Sequence, residues 1–234
     1  MEKKLTIICC IYNEINILKK NWSLIENQLL QDTFFHEVII VDNNSYDGSK
    51  KFLTDLKNKN KNKKIKFIFN KRNIGKGGSI KNGIKNSSGD IAVIFDIDEY
   101  KYSDIKKGFR IFLKSNCSFL IGSRILKKKK FIYKTNYHGV IFLTKLINLL
   151  YSLDLTDSAS ATKFFSLKHK NLFKTFTNGF NFEFEMLCNF AKKKMKILEY
   201  QIDYFPRTVH EGKKIKAIRD GIKILLIILV KKFI

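Results

Sequence analysis

Val38-Ile39-Ile40-Val41-Asp42-Asn43-Asn44-Ser45-Tyr46-Asp47-Gly48-Ser49 runs from an unbroken β-branched segment through polar turn formers into the opening of a helix. The four aliphatic residues show no alternation, which marks a strand covered on both faces. The Asn, Ser, Asp and Gly that follow hydrogen-bond their own backbone and tolerate tight turns. From Gly48 to about Lys57 the pattern turns helical, with Ser45 or Asp47 available to cap it. A strand buried on both sides needs helices above and below its sheet. This one stretch therefore predicts a βα unit of a parallel sheet.

Outward from it the same alternation repeats. Residues 5–11, 65–69 and 91–95 read as strands, and 15–30 and 75–86 as helices, which implies right-handed crossovers and an α/β fold. Farther on, Ser103 can cap a helix running to about Lys114, with Asp104 in its favourable first turn. A strand at 117–121 ends at Gly122-Ser123-Arg124. Residues 140–153, 180–193 and 215–233 read as helices, and 162–166 and 197–204 as strands. With no internal repeat and no clear linker, the chain reads as one domain. Residues 1–212 form its body, and 213–234 a C-terminal amphipathic helix of the same domain. In such a sheet, ligands sit beyond the carboxyl ends of the strands. The residues there are Tyr12-Asn13-Glu14, Asp42-Asn43-Asn44-Ser45, the segment 70–78, and Asp96-Ile97-Asp98.

The bulk numbers suit this reading. The chain has 234 residues, 44% of them hydrophobic, so it can bury a substantial core. Its formal charge of +24 comes mostly from Lys in company with many Asn, Ile and Phe. That is compositional drift compatible with phosphorylated or membrane partners rather than nucleic acid, whose bidentate readout prefers Arg. The Lys/Asn tract at 57–64 reads as a solvated loop. Cys9, Cys10, Cys117 and Cys188 lack metal-ligand spacing and read as buried free thiols, with Cys9 and Cys10 on opposite faces of the first strand. The N-terminal apolar run is followed by Tyr12, Asn13 and Glu14 where a signal peptide would be cleaved, so it reads as a strand. No segment reaches the roughly 18–20 apolar residues of a membrane span.

Asp96 and Asp98 close a buried strand at i and i+2. Oxygen-only ligation suits Mg²⁺ or Mn²⁺, and a pair of turn-forming aspartates is the other reading. Asp42 can accept hydrogen bonds from a base or ribose or serve its own turn. Arg72-Asn73-Ile74-Gly75-Lys76-Gly77-Gly78 is a glycine-rich turn opening a helix, suited to close backbone approach. It lacks the spacing and the Lys-Ser/Thr ending of a P-loop.

Taken together, Tyr-Asn-Glu, Val-Asp-x-x-Ser-x-Asp-Gly-Ser, Arg-Asn-x-Gly-Lys-Gly, Ser-Gly-Asp and Asp-x-Asp resemble the family-2 glycosyltransferases with a GT-A fold. The likeness continues through Gly122-Ser123-Arg124, Asp157 with Lys163-Phe164-Phe165, Gly179-Phe180-x-Phe182-Glu183-Phe184-Glu185, and Pro206-Arg207-Thr208-x-x-Glu211-Gly212-Lys213-Lys214. That late set is similar to the polyprenyl-phosphate (dolichyl-phosphate-type) mannosyl- and glucosyltransferases. The resemblance implies a Rossmann-like sandwich with a mainly parallel central sheet flanked by helices. It assigns Tyr12, Glu14 and Asp42 to the nucleoside, Lys76 to the base or phosphates, and Asp96 and Asp98 to the metal. Arg124 goes to an acceptor phosphate, and Arg207 and Lys213 to the phosphate region. Glu185 matches an acid that is structural or faces the sugar. Ala161 departs from the usual glycine, and Glu99 stands near the place of a third metal ligand.

The activity so implied is inverting transfer of a hexose from a nucleotide-sugar donor to a polyprenyl phosphate, with Mg²⁺ or Mn²⁺. The alternative acceptor is a hydroxyl of a cell-surface polysaccharide or glycolipid precursor, for which Asp157 is the candidate base. Residues 224–230 are apolar between Lys223 and Lys231-Lys232. They suit a membrane interface or packing on the domain or a partner subunit. The expected setting is the cell envelope, at the cytoplasmic face of the membrane, peripherally bound, with a homo-oligomer possible and no nucleic-acid partner.

Overall fold

The computed structural model describes residues 3–31, 35–61, 63–96, 102–127, 134–174, 177–203 and 217–233. Within them the chain alternates β1 (Leu5–Ile11), α1 (Ile15–Gln31), β2 (Glu37–Asp42), α2 (Ser49–Lys59), β3 (Ile65–Phe69), α3 (Gly75–Lys85), β4 (Ile91–Ile94), α4 (Tyr102–Ser115) and β5 (Phe119–Ser123). It continues with α5 (Lys134–Tyr151), β6 (Lys163–Ser166), a short 3₁₀ stretch (Leu167–Phe173), α6 (Phe182–Lys192), β7 (Ile197–Gln201) and α7 (Ala217–Phe233). The strands form a single sheet in the order β3-β2-β1-β4-β6-β5-β7. The neighbours β3/β2, β2/β1, β1/β4 and β5/β7 are parallel, and β6 alone among the described strands runs against its neighbours. This is the mainly parallel, helix-flanked sandwich expected from the sequence.

The unbroken apolar runs follow from burial on both faces: every residue of β2, β4 and β5 is buried. Successive side chains point to opposite faces, so the sheet feeds two cores. Leu5, Ile7, Cys9, Val93 and Phe164 pack with Leu18 and Trp22 of α1, Leu53 of α2, and Ile105, Phe109 and Phe112 of α4. Ile8, Ile94, Phe119 and Phe165 pack on the other face with Ile80 and Ile84 of α3, Ile147 of α5, Phe182, Leu187 and Phe190 of α6, and Ile227 and Ile228 of α7. Each fully buried large side chain contributes about 1.5–3 kcal/mol. An Ile105→Asp change would remove α4's anchor and leave a carboxylate in that core.

The four cysteines are free, and Cys9 and Cys10 fall on opposite faces as expected. Several boundaries differ from the sequence reading. β5 begins at Phe119 and extends through Gly122 and Ser123, because those residues still pair in register with Tyr200 and Gln201 of β7. Ser103 lies inside α4 rather than at its cap. Gly48, at φ 99°, takes the N-cap position of α2 with no side-chain cap. Ser45 serves the neighbouring turn, while Asp47 divides its carboxylate between that turn and the Ser49 N–H that opens α2, at 3.0 Å.

Candidate active site

The turns after β1 and β2 are sewn to each other. The Asn13 backbone N–H donates to Ser45 Oγ at 3.0 Å, and Tyr46 N–H donates to Asn13 Oδ1 at 3.0 Å. Glu14 N–H reaches Ser49 Oγ at 2.8 Å and Ile15 N–H reaches Asp47 Oδ2 at 2.9 Å. Asn13 and Asn44 take left-handed φ values of 51° and 59°, which Asn tolerates better than most residues. Asp42 is fully buried at the end of β2 and accepts the Ser45 N–H at 3.2 Å. Tyr12 stands edge-on to Tyr46, with ring centroids 6.2 Å apart and Tyr46 82% exposed. Tyr12, Glu14 and Asp42 thus share one rigid rim.

A lattice of neutral amides joins that rim to the turn after β3. Asn43 Nδ2 donates to Asn73 Oδ1 at 2.9 Å, while Asn43 Oδ1 accepts from Asn70 Nδ2 at 3.1 Å and from Ile74 N–H at 2.9 Å. Asn82 Nδ2 closes on Asn70 Oδ1 at 2.8 Å. The strand-end segments of the sequence contain most of these amides, but the network that joins them exists only in the fold.

From Asn73 the chain enters α3 through Gly75, at φ 78°. A Cβ there would lie 2.3 Å from the Asn178 carbonyl oxygen, and one on Gly77 would lie 2.4 Å from Phe182 Cβ. Glycine is therefore what lets the start of α3 press against the segment opening α6. Lys76, between the two glycines, is carried into a charged cluster. Its Nζ lies 2.9 Å from Asp96 Oδ2 and 2.9 Å from Glu183 Oε1. Glu183 Oε2 in turn meets Lys163 Nζ at 3.2 Å, and Lys163 also donates to the Ser160 carbonyl. Because β6 runs antiparallel, its first residue, Lys163, arrives at the same sheet edge as the carboxyl end of β4. Burial disfavours the Lys76 ammonium, but Asp96 and Glu183 outweigh that and push its pKa well above the ordinary value. Lys163 is fully buried, and there desolvation wins over Glu183 and Asp157 and lowers its pKa.

A second cluster lies where β5 ends. Arg124 forms a forked pair with Asp157, Nε–Oδ2 at 2.7 Å and Nη2–Oδ1 at 2.8 Å, and its own N–H adds a bond at 3.1 Å. Asp157 is completely buried; burial raises its pKa, but Arg124 outweighs that and holds it below the usual range. Glu199 of β7 fixes the loop by accepting Thr156 N–H at 2.6 Å and Asp157 N–H at 2.8 Å. Glu185 is buried beneath α7. It accepts Thr177 Oγ1 at 2.6 Å and pairs with Lys231 at 2.9 Å, tying α6 to the last helix. Asp98, Arg207 and Lys213, like Glu99, lie outside the described residues.

Among the described residues, no three His, Cys, Asp or Glu side chains converge as a ready-made metal cage. Mg²⁺ and Mn²⁺ do not need one, since they bind one or two carboxylates and complete their shell with waters and substrate phosphates. Asp96 supplies a hard oxygen at the strand end, and the Lys76 ammonium already at its Oδ2 marks that spot as cation-seeking. Asp96, the described member of the Asp96/Asp98 pair, is of the oxygen-donor type that suits such an ion.

A mainly parallel sheet whose carboxyl edge gathers an amide-stitched rim, a strand-end aspartate, Lys76 and Arg124 has the architecture of a GT-A-type α/β fold. The fold matches glucosyl-3-phosphoglycerate synthase from Mycobacterium tuberculosis in complex with Mn²⁺, uridine diphosphate and phosphoglyceric acid. The TM-score is 0.72 at 14% identity, covering 99% of this chain and 79% of that one. The same synthase in complex with Mg²⁺ and uridine diphosphate matches at 0.70. Residues 6–178 match the model of glycosyl transferase family 2. The chain belongs to that family and is a transferase enzyme.

Its relatives include a UDP-N-acetylglucosamine–dolichyl-phosphate N-acetylglucosaminyltransferase of Methanococcus voltae, 29% identical over 184 residues and 70% of each chain. A dolichol-phosphate mannosyltransferase of Pyrococcus furiosus is 26% identical over 215 residues, 90% of this chain and 59% of its own length. A dolichyl-phosphate β-glucosyltransferase of Dictyostelium discoideum is 24% identical over 203 residues, 81% and 60% respectively. The chain thus spans 59–70% of these relatives.

Proposed function

We propose that this enzyme transfers a hexose from a nucleotide-sugar donor to a polyprenyl phosphate, with inversion at the anomeric carbon and a divalent ion held by Asp96 and Asp98. The observation that carries the reading is the pairing of Asp96 with Lys76 at the end of β4, beside the rim formed by Tyr12, Glu14 and Asp42. It is supported by the dolichyl-phosphate acceptors in the names of the relatives.

Tyr12, Glu14 and Asp42 receive the nucleoside, and their stitched turns are preorganised for it. Mg²⁺ or Mn²⁺, when bound, supplies Lewis-acid neutralisation of the charge that grows on the departing diphosphate. Lys76, Arg207 and Lys213 add positive charge around the phosphates. Arg124 meets the acceptor phosphate, and Asp157 orients its fork. A phosphate acceptor is already an anion, so its attack on C1 requires no general base. The hydroxyl alternative asks Asp157 to be that base, but its two oxygens are engaged by Arg124. That favours the phosphate acceptor and makes Asp157 a positioning residue.

A lipid acceptor calls for a membrane-facing surface. Ile222, Leu226, Val230 and Phe233 of α7 are 55%, 56%, 37% and 75% exposed, and Phe142 and Leu149 of α5 are 59% and 79% exposed. They recur at helical spacing beside Lys145, Lys223 and Lys232. Among the described residues no helix is long and apolar enough to cross a membrane. The proposed contact is therefore peripheral, on an anionic cytoplasmic surface, with α7 closing the same domain as its amphipathic last helix.

The test is incubation of purified protein with Mn²⁺, a panel of sugar nucleotides and a short-chain polyprenyl phosphate. An acid-labile lipid-phosphate sugar is expected from wild type and none from Asp96→Ala. Transfer to a saccharide hydroxyl, with the lipid phosphate untouched, would overturn the acceptor assignment.

A further inference from the structure

Asp96, Lys76, Glu183 and Lys163 form a continuous line of alternating charge, with successive contacts of 2.9, 2.9 and 3.2 Å. Their formal charges sum to zero. The two carboxylates of the line differ in what else holds them. Glu183 is 7% exposed at its side chain and is shared between two lysines; Asp96 is 19% exposed and, of the contacts just named, has only Lys76. The more exposed end of the line is therefore the Lys76–Asp96 contact, where both side chains keep some access to solvent.

We propose that Lys76 is a built-in counter-ion that occupies Asp96 Oδ2 until a metal–nucleotide complex arrives, and that Glu183 then retains it as a diphosphate ligand. This rests on the donor-site reading above and adds an order of events to it. A dication reaching Asp96 alone must evict the ammonium from a short charge-assisted bond and then sit beside it, like charge against like. A dication arriving with a diphosphate brings its own compensation, because the displaced ammonium gains phosphate oxygens as partners. The Glu183 contact is the pivot, since it keeps Lys76 at the site during the exchange. Gly75 and Gly77 make that contact possible by letting α3 approach the start of α6. Lys163 prevents Glu183 from being drawn toward the dication, holding its second oxygen from a buried position. Free metal and nucleotide should consequently bind with strong positive coupling, which by linkage is the same whichever binds first.

The experiment titrates Mn²⁺ by electron paramagnetic resonance, alone and with UDP or GDP. It uses wild type, Lys76→Met and Lys76→Arg, with folding checked by circular dichroism. Lys76→Met should bind free Mn²⁺ at least about tenfold tighter than wild type, equivalent to about 1.4 kcal/mol. Its nucleotide–metal coupling should shrink by a similar factor, while Lys76→Arg, which restores the cation, should behave as wild type. Unchanged free-Mn²⁺ affinity and unchanged coupling in Lys76→Met would overturn the proposal while leaving the donor site intact. Wild type that binds neither nucleotide in the presence of Mn²⁺ would instead overturn the donor-site reading and the proposal with it. A crystal structure of wild type with Mn²⁺ and nucleotide tests the same point without a substitution. Lys76 Nζ should have left Asp96 for phosphate while staying on Glu183, and a retained Lys76–Asp96 contact refutes the exchange.

Discussion

Replacing Asp157 with Asn removes the charge from the forked pair at the end of β5 and turns one of its two acceptor oxygens into an N–H donor that faces Arg124. Arg124 is 10% exposed at its side chain and Asp157 is 0% exposed, so the guanidinium would be left largely buried without a counter-charge. Breaking such a pair from one side costs about 3–5 kcal/mol. Asn keeps the shape and one acceptor oxygen, which puts the expected loss near the lower figure, about 3 kcal/mol. At about 2–4 °C per kcal/mol for a chain of this size, the midpoint of thermal unfolding should fall by about 6–12 °C. Equilibrium urea unfolding monitored by circular dichroism gives the free energy directly. The double variant Asp157→Leu with Arg124→Met should recover most of the loss, because an apolar pair does not carry the desolvation penalty.

The same carboxyl predicts an acid limb. Its folded pKa is depressed, so its contribution is present above the ordinary aspartate range and is lost as the pH falls toward the depressed folded value. Asp157→Asn should lack that part of the acid destabilisation. A loss below about 1 kcal/mol would place the pair among solvent-screened bridges and refute the claim that it locks Arg124. An Asn variant of wild-type stability and no transfer activity would restore Asp157 as a base.

Glu37 offers a second acid-sensitive lock. Burial pushes its pKa up, but Lys66, the Ser88 N–H and Thr6 outweigh that and bring it down to about 2. Its stabilisation should be complete above about pH 4.5 and disappear between there and about pH 2, a limb that Glu37→Gln should flatten in acid-unfolding curves. Gly77→Ala forces a methyl group to within 2.4 Å of Phe182 Cβ. Overpacking of this kind costs about 1–3 kcal/mol; by moving Lys76 it should also weaken nucleotide binding measured by calorimetry, and unchanged binding would break that link. Leu226→Asp on the exposed face of α7 should abolish sedimentation with anionic vesicles while leaving the melting temperature within about 1 °C, as suits a surface change. Retained sedimentation would mean that α7 is not the docking face.

The first half of the fold was legible because its strands are unbroken β-branched or aromatic runs, and two-sided burial leaves no other role for them. Strand order beyond β4 was not. β6 enters between β4 and β5 by pairing with residues distant in sequence, which local pattern does not encode. At the site, Asp42, Asp96 and Lys76 announced themselves at strand ends and glycine turns. Glu183 and Lys163 stood only as parts of longer motifs, without a role of their own, since neither lies at the carboxyl end of a strand or at a glycine turn that marks it. A signal was available: Phe182-Glu183-Phe184-Glu185-Met186-Leu187 sets two acids in an apolar run, and Lys163 interrupts another. Charges so placed are buried with the run and must find counter-ions. Asp157 was named from the sequence as a candidate base, and only the forked geometry shows that its oxygens serve Arg124.

The insertion of β6 between β4 and β5 also bears on how the chain is made. Strands β1 to β4 can zip together as soon as they leave the ribosome, each beside a neighbour already present. β5 has no such welcome: its ladders among the described strands are with β6 and β7, both synthesised later. Until they emerge, Phe119, Leu120 and Ile121 are without the sheet that buries them, an interval in which a nascent chain is exposed to misassociation. The half of the sheet carrying Asp42 and Asp96 can thus assemble ahead of the half carrying Arg124, leaving β5 as the strand that waits for its neighbours.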